Sequence, residues 1–215
     1  MWCTRHAAWM LVALVLAAGP ATAMIVAQGA SPTVPSQPKP AEKMPPAPPI
    51  TGPATPSPLQ PGDAFGEPVV LPERTIIYLK GHTNWDAAFD TLIDAFKSLN
   101  EYLDKQAIKP NGMAMTIYTQ TDDTGFSFEA ALPVAAAPAN PPKGDIAVGK
   151  APSGKALKFV HRGSYDAMDS SYEAITNYLD DKGLEAKDLF IEEYVSDPGK
   201  TDPDKLVINV YVPLK

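Results

Sequence analysis

Residues 190–196 read FIEEYVS, an alternation that a β-strand would split into two faces. Phe190, Glu192, Tyr194 and Ser196 share one of them, and Ile191, Glu193 and Val195 the other. A carboxylate between aromatic rings has two chemical uses. It can be the counter-ion of a lipophilic cation, with each ring adding roughly 0.5–2 kcal/mol of cation–π contact. If desolvated, it holds a raised pKa and can act as a general acid or base. The same spacing also fits a solvated edge glutamate beside ordinary core rings, and spacing alone leaves both readings open.

Other chemistry finds less support. His82 and His161 stand alone near strand ends, with no second ligand at metal-binding spacing. Cys3 is the only cysteine and lies in the N-terminal segment, which leaves no thiol nucleophile, thiolate metal site or disulfide in the rest of the chain. There is no G-x-S-x-G elbow, phosphate-cradling glycine loop or H-E-x-x-H pair. No metal and no cofactor is therefore expected. Asp122-Asp123 and Asp180-Asp181 read as solvated turns.

The elements that must position Glu192 occur twice. In a first copy, Thr75 to Lys80 is β-rich, and Thr83 or Asn84 can cap a helix. Trp85, Ala88, Phe89, Leu92, Phe96, Leu99 and Leu103 then recur at helical spacing. Met113–Gln120 and Gly125–Val134 read as a hairpin. In a second copy, Leu157–His161 is a strand, Ser164 a cap, and Tyr165, Met168, Tyr172, Ile175 and Leu179 a helix face. Leu189–Ser196 and Leu206–Pro213 close it. Gly81 matches Gly163, EYLDK at 101–105 matches NYLDD at 177–181, Tyr118 matches Tyr194, and Pro133 matches Pro213. Two βαββ units predict an α+β fold with pseudo-twofold symmetry. Its curved, mixed or antiparallel sheet would carry both helices on one face and leave the other face free as a groove.

The rest of the chain is of another kind. Of 24 prolines in 215 residues, most of those before residue 74 crowd between Pro32 and Pro72, where no packed core can form. Residues 24–73 are read as a disordered, proline-rich linker ahead of a domain over residues 74–215. Polyproline II at about 3.1 Å per residue would let thirty such residues reach on the order of 90 Å. Before it, Arg5, the apolar run Ala7–Ala18 and Ala21-Thr22-Ala23 follow the order of a secretory signal over residues 1–23. An uncleaved anchor reaching to about residue 30 is the alternative. Either way the domain is expected outside the cytoplasm, in the periplasm or held at a membrane. The net charge of −7 comes with no basic cluster, which argues against a nucleic-acid partner and mildly favours a cationic ligand.

HRGSY at 161–165, a helix ending in NYLDD, EEYVSDP at 192–198 and VYVPL at 210–214 together resemble the GyrI-like domain, as does FEAALPV at the end of the first copy. That domain is also the effector-binding module of AraC- and MerR-type regulators. The resemblance covers about residues 74–215. It implies a pseudo-twofold α+β fold with a ligand groove between the copies, taking hydrophobic, often aromatic and cationic molecules. The family's marker falls on Glu192, Tyr194, Asp197 and Pro198, and the first copy has Thr116 where the second has Glu192. With Glu192 as counter-ion, Tyr194, Tyr118, Tyr165, Trp85 and Phe128 are the candidate walls of that groove, although Trp85 and Tyr165 also fit a helix core. Some members hydrolyse strained small molecules with a glutamate and a nearby tyrosine, so a hydrolase using Glu192 and Tyr194 is one alternative. A protein-interaction module is the other. No DNA-binding segment accompanies the domain in this sequence.

Overall fold

The computed structural model describes residues 59–215. The expected signal and most of the proline-rich linker lie outside the described residues. The elements are β1 (Phe65–Leu71), β2 (Thr75–Asn84), α1 (Ala88–Lys105), β3 (Met115–Thr121) and β4 (Gly125–Val134), then β5 (Ile146–Lys150), β6 (Gly154–Gly163), α2 (Met168–Lys182), β7 (Phe190–Tyr194) and β8 (Leu206–Pro213). A single 3₁₀ turn, Trp85–Ala87 or Tyr165–Ala167, leads into each helix.

Local chemistry sets the helix boundaries. Asn84 accepts a hydrogen bond from the Ala87 N–H through its side chain, the cap expected from sequence. Ser164 occupies the matching position without a side-chain cap; its carbonyl instead accepts from His161 at 3.0 Å. α2 stops at Gly183, whose left-handed φ of 61° costs a glycine nothing.

The strands form one sheet in the order β1-β6-β8-β7-β3-β4-β2-β5, and every pairing among the described residues is antiparallel. The α+β, duplicated architecture is as read from the sequence, but the mixed sheet allowed there resolves to a purely antiparallel one. The order is a palindrome of the repeat. β6, β8 and β7 of the second unit mirror β2, β4 and β3 of the first, and β3 meets β7 at the centre. Both helices lie on one face. Leu92, Phe96, Leu99 and Leu103 of α1 share a core with Tyr172, Ile175 and Leu179 of α2 and with Phe126, Phe128, Phe159, Ile208 and Val210 of the sheet. Gly81 is needed for that packing, because a Cβ there would stand 2.3 Å from Cζ of Phe128 across the β2–β4 pair.

Two strands escaped the sequence reading. β1 lies inside the stretch read as linker and pairs with β6 of the second unit, so the sheet begins before the expected boundary at residue 74. β5 pairs with β2 of the first unit. Each leading strand thus completes the edge of the other repeat. Neither FGEPVVL nor IAVGK alternates cleanly, and Pro68 is tolerated because β1 is an edge strand.

The exchange has a consequence for the face that carries no helices. The chain must cross it twice, from β1 to β2 and from β5 to β6, and the crossings touch where the Ala151 N–H donates to the Arg74 carbonyl at 3.0 Å. They cover a second apolar cluster of Ile76, Met115, Ile117, Ala131, Ala151 and Ile191. Arg74 reaches from the crossing to Glu193 at 2.8 Å, and Tyr211 donates to the same carboxylate at 2.9 Å. That face is not the free groove expected from two bare βαββ units. Among the described residues no helix is long and apolar enough to cross a membrane.

Candidate functional site

β7 is short, and every residue of it is buried. Its alternation directs Glu193 to the crossed face and Glu192 to the helix face, where α1 and α2 converge over the centre of the sheet. Glu192 has no exposed surface. Its carboxylate is held by phenols. Tyr172 of α2 donates to Oε1 at 2.7 Å, and Tyr194 of β7 donates to Oε2 at 2.9 Å. Tyr165, in the turn before α2, lies 3.5 Å from Oε2. Behind these stand two further hydroxyls, Tyr118 at 2.6 Å from the Tyr165 oxygen and Thr116 at 3.2 Å from the Tyr194 oxygen. With Tyr165 and Tyr194 donating to the carboxylate, Tyr118 and Thr116 donate to them, and every hydrogen of the network points toward Glu192.

Rings close the cage. Phe96 of α1 meets Tyr194 edge-on at 5.3 Å, Tyr172 meets Phe190 at 5.3 Å, and Phe89 of α1 lies 5.0 Å from Tyr165. Phe89 and Tyr165 are half-buried and form the part of the cage that reaches solvent, while Tyr118, Tyr172, Tyr194, Phe96 and Phe190 are buried.

The electrostatics follow from that enclosure. Burial raises the pKa of Glu192 above its ordinary value of 4.5, and the hydroxyls of Tyr172 and Tyr194 pull against it by bonding the charged form. Tyr118, Tyr165, Tyr172 and Tyr194 are all pushed well above the phenol value of 10.0, by burial first and the Glu192 charge second. The tyrosines therefore stay protonated as donors at any physiological pH. The described ion pairs of the domain involve other carboxylates, and among the described residues no basic side chain pairs with Glu192. A carboxylate in such a place can accept a cation among π faces, or carry a proton.

Of the residues singled out from sequence, Glu192, Tyr194, Tyr118 and Tyr165 come together in this network. Trp85 and Phe128 stand beside it rather than in it: both meet Phe126, at 4.8 and 5.7 Å, which lies 5.0 Å from Tyr118, and Phe128 is also the cross-strand partner of Tyr118. The Trp85 indole N–H is engaged with the Asp122 carbonyl at 2.9 Å. The sequence reading missed Tyr172, Thr116, Phe89 and Phe96 as site residues. A signal for Tyr172 was present: it follows Tyr165 by seven residues, two helical turns, and so faces the same way. His161 is a core residue, with Nδ1 2.8 Å from the Ser171 hydroxyl, and burial holds its pKa below 6.5. His82 is 3.4 Å from Ser127. Among the described residues no cluster of three or more metal-ligating side chains occurs.

Fold and sequence together define the class. The chain belongs to the GyrI-like small molecule binding domain family, whose model matches residues 68–215. It is similar in structure to EcmrR in a DNA complex, with a TM-score of 0.60 and 17% identity over 69% of this chain, and it spans 56% of the length of that chain. The EcmrR C-terminal domain alone aligns at a TM-score of 0.55 and 15% identity, covering 69% of this chain and 95% of that domain. SAV2435 bound to tetraphenylphosphonium aligns at 0.50 and 16%, covering 69% and 93%. At these identities the likeness is one of fold. No curated protein matches the sequence significantly.

Proposed function

We propose that this protein is an extracytoplasmic receptor for a hydrophobic, cationic small molecule, which enters between α1 and α2 and uses Glu192 as its counter-ion. The observation that carries the reading is a fully buried carboxylate with three phenols within 3.5 Å and no basic partner among the described residues. A cation that displaced water or a proton from it would gain the unscreened attraction of a buried site and the faces of Tyr165 and Phe89. The half-buried pair Phe89–Tyr165 is the part that must move to admit it. A neighbour of the same fold, solved bound to tetraphenylphosphonium, makes that cation the natural probe. The extracytoplasmic placement rests on the order Arg5, apolar run and Ala-Thr-Ala, and on the proline-rich stretch that follows.

Isothermal titration of the full-length protein with tetraphenylphosphonium and with neutral triphenylphosphine oxide tests the reading. Binding of the cation alone, lost in Glu192→Gln, is the expected result. Equal binding of both ligands, unchanged in the variant, would remove the counter-ion from the account.

A hydrolase is the second reading. The raised pKa of Glu192 favours it, since the group could hold a proton for transfer beside Tyr194. Turnover of a strained or activated small molecule, abolished in Glu192→Gln with binding retained, would select it.

A further inference from the structure

The repeat offers two equivalent places for a carboxylate at the centre of the site, and only one is filled. Thr116 of β3 and Glu192 of β7 are direct partners across the two central strands. They also hold the same position in the two units, because Tyr118 and Tyr194 follow each by two residues and correspond to one another. A pair that is both opposed and equivalent must straddle the pseudo-twofold axis. Thr116 is as completely buried as Glu192, and its hydroxyl lies 3.2 Å from the Tyr194 oxygen that bonds Glu192.

We propose that Thr116 limits the site to a single negative charge and thereby makes the receptor selective for ligands with one positive charge over those with two. The proposal rests on the cation-binding reading above. Its argument is one of charge balance. Directly opposed residues of an antiparallel pair stand about 4.5–5.5 Å apart at Cα. A second glutamate at 116 would set two carboxylates together in a buried cage, where they would share one proton or jointly neutralise two positive charges. The threonine supplies a neutral hydroxyl in that place. The two nearest strand carboxylates do not make good the difference, since Glu193 is turned to the crossed face against Arg74 and Glu129 pairs with Lys80. A dication would bring one unbalanced charge into the cage, at the cost of a buried, unpaired ion.

The test uses two biaryls of one shape, the N-methyl-4-(4-methylphenyl)pyridinium monocation and the N,N′-dimethyl-4,4′-bipyridinium dication, titrated calorimetrically into the full-length protein. Wild type is expected to bind the monocation about tenfold more tightly or better, a difference of about 1.4 kcal/mol. Thr116→Glu is expected to shift the ratio of affinities toward the dication by about tenfold, while Thr116→Gln, of similar size and no charge, leaves it within about twofold. Equal affinity of wild type for the two biaryls, or equal shifts in the Glu and Gln variants, would overturn the role of Thr116. If Thr116→Glu does not fold, the two wild-type affinities decide. Failure of the underlying reading looks different: wild type would then bind neither biaryl nor tetraphenylphosphonium, and the proposal would fall with it.

Discussion

Removing the Tyr172 hydroxyl is the most incisive perturbation of the cage. Tyr172→Phe deletes one oxygen from a side chain that is 8% exposed and leaves its edge contact with Phe190 in place. The lost bond, 2.7 Å to Oε1, is the one described bond to that oxygen. If Glu192 carries its charge, the change removes a charge-assisted hydrogen bond and strands a buried carboxylate oxygen, worth about 1.5–3 kcal/mol. For a domain of this size that lowers Tm by roughly 3–12 °C. Tyr118→Phe is the control, because the Tyr118 hydroxyl meets another phenol; losing a neutral bond costs about 0.5–1.5 kcal/mol. Thermal unfolding followed by circular dichroism at pH 8 and at pH 4 separates the cases. Tyr172→Phe should cost more than Tyr118→Phe at pH 8, and the excess should shrink at pH 4, below the ordinary carboxyl value, as Glu192 takes up a proton in both proteins. Equal costs at both pH values would refute the charged carboxylate. No cost from Tyr172→Phe at either pH would refute the cage itself.

Three other outcomes follow from the same structure. The pKa of Glu192 is raised in the fold, so the unfolded chain releases its proton first as pH rises; the stability linked to this group is present in full below about pH 4.5 and is lost as pH climbs through the folded pKa. Glu192→Gln should remove that loss, so its Tm should exceed that of wild type at pH 8 and converge with it at pH 4, as scanning calorimetry would show. Gly81→Ala drives a methyl group into the Phe128 ring and should cost about 1–3 kcal/mol by urea denaturation, with part recovered in the double variant Gly81→Ala/Phe128→Leu. A chain starting at Arg74 should be less stable and more prone to aggregate than one starting at Leu59. It lacks β1, bares the edge of β6 and loses the Asp63–Arg162 pair, two bonds of 2.7 Å each. Size-exclusion chromatography and thermal unfolding of the two chains would check this.

The sequence by itself determined the repeat, and with it most of the fold. Strands β2, β3, β4, β6, β7 and β8 and both helices follow from periodicities of 2 and 3.6, because each is amphipathic and must bury one face. Alternation also placed Glu192 and Tyr194 together, since that relation is local to one strand. What the sequence could not determine was the pairing of segments far apart in the chain. β1 and β5 are short edge strands without clean alternation, and their identity as strands depends on pairing with the opposite repeat, a choice made only when both units are assembled. Their exchange, in turn, sends two crossings over one face and leaves the helix face as the place where Glu192 is enclosed. Tyr172 read as a core residue because a tyrosine on an amphipathic helix looks the same whether its hydroxyl meets solvent or a carboxylate. Only the docking of α2 over β7, twenty residues farther along the chain, made it a donor. The opposition of Thr116 to Glu192 belongs to the same class: residues 76 positions apart become partners because the sheet closes about the pseudo-axis.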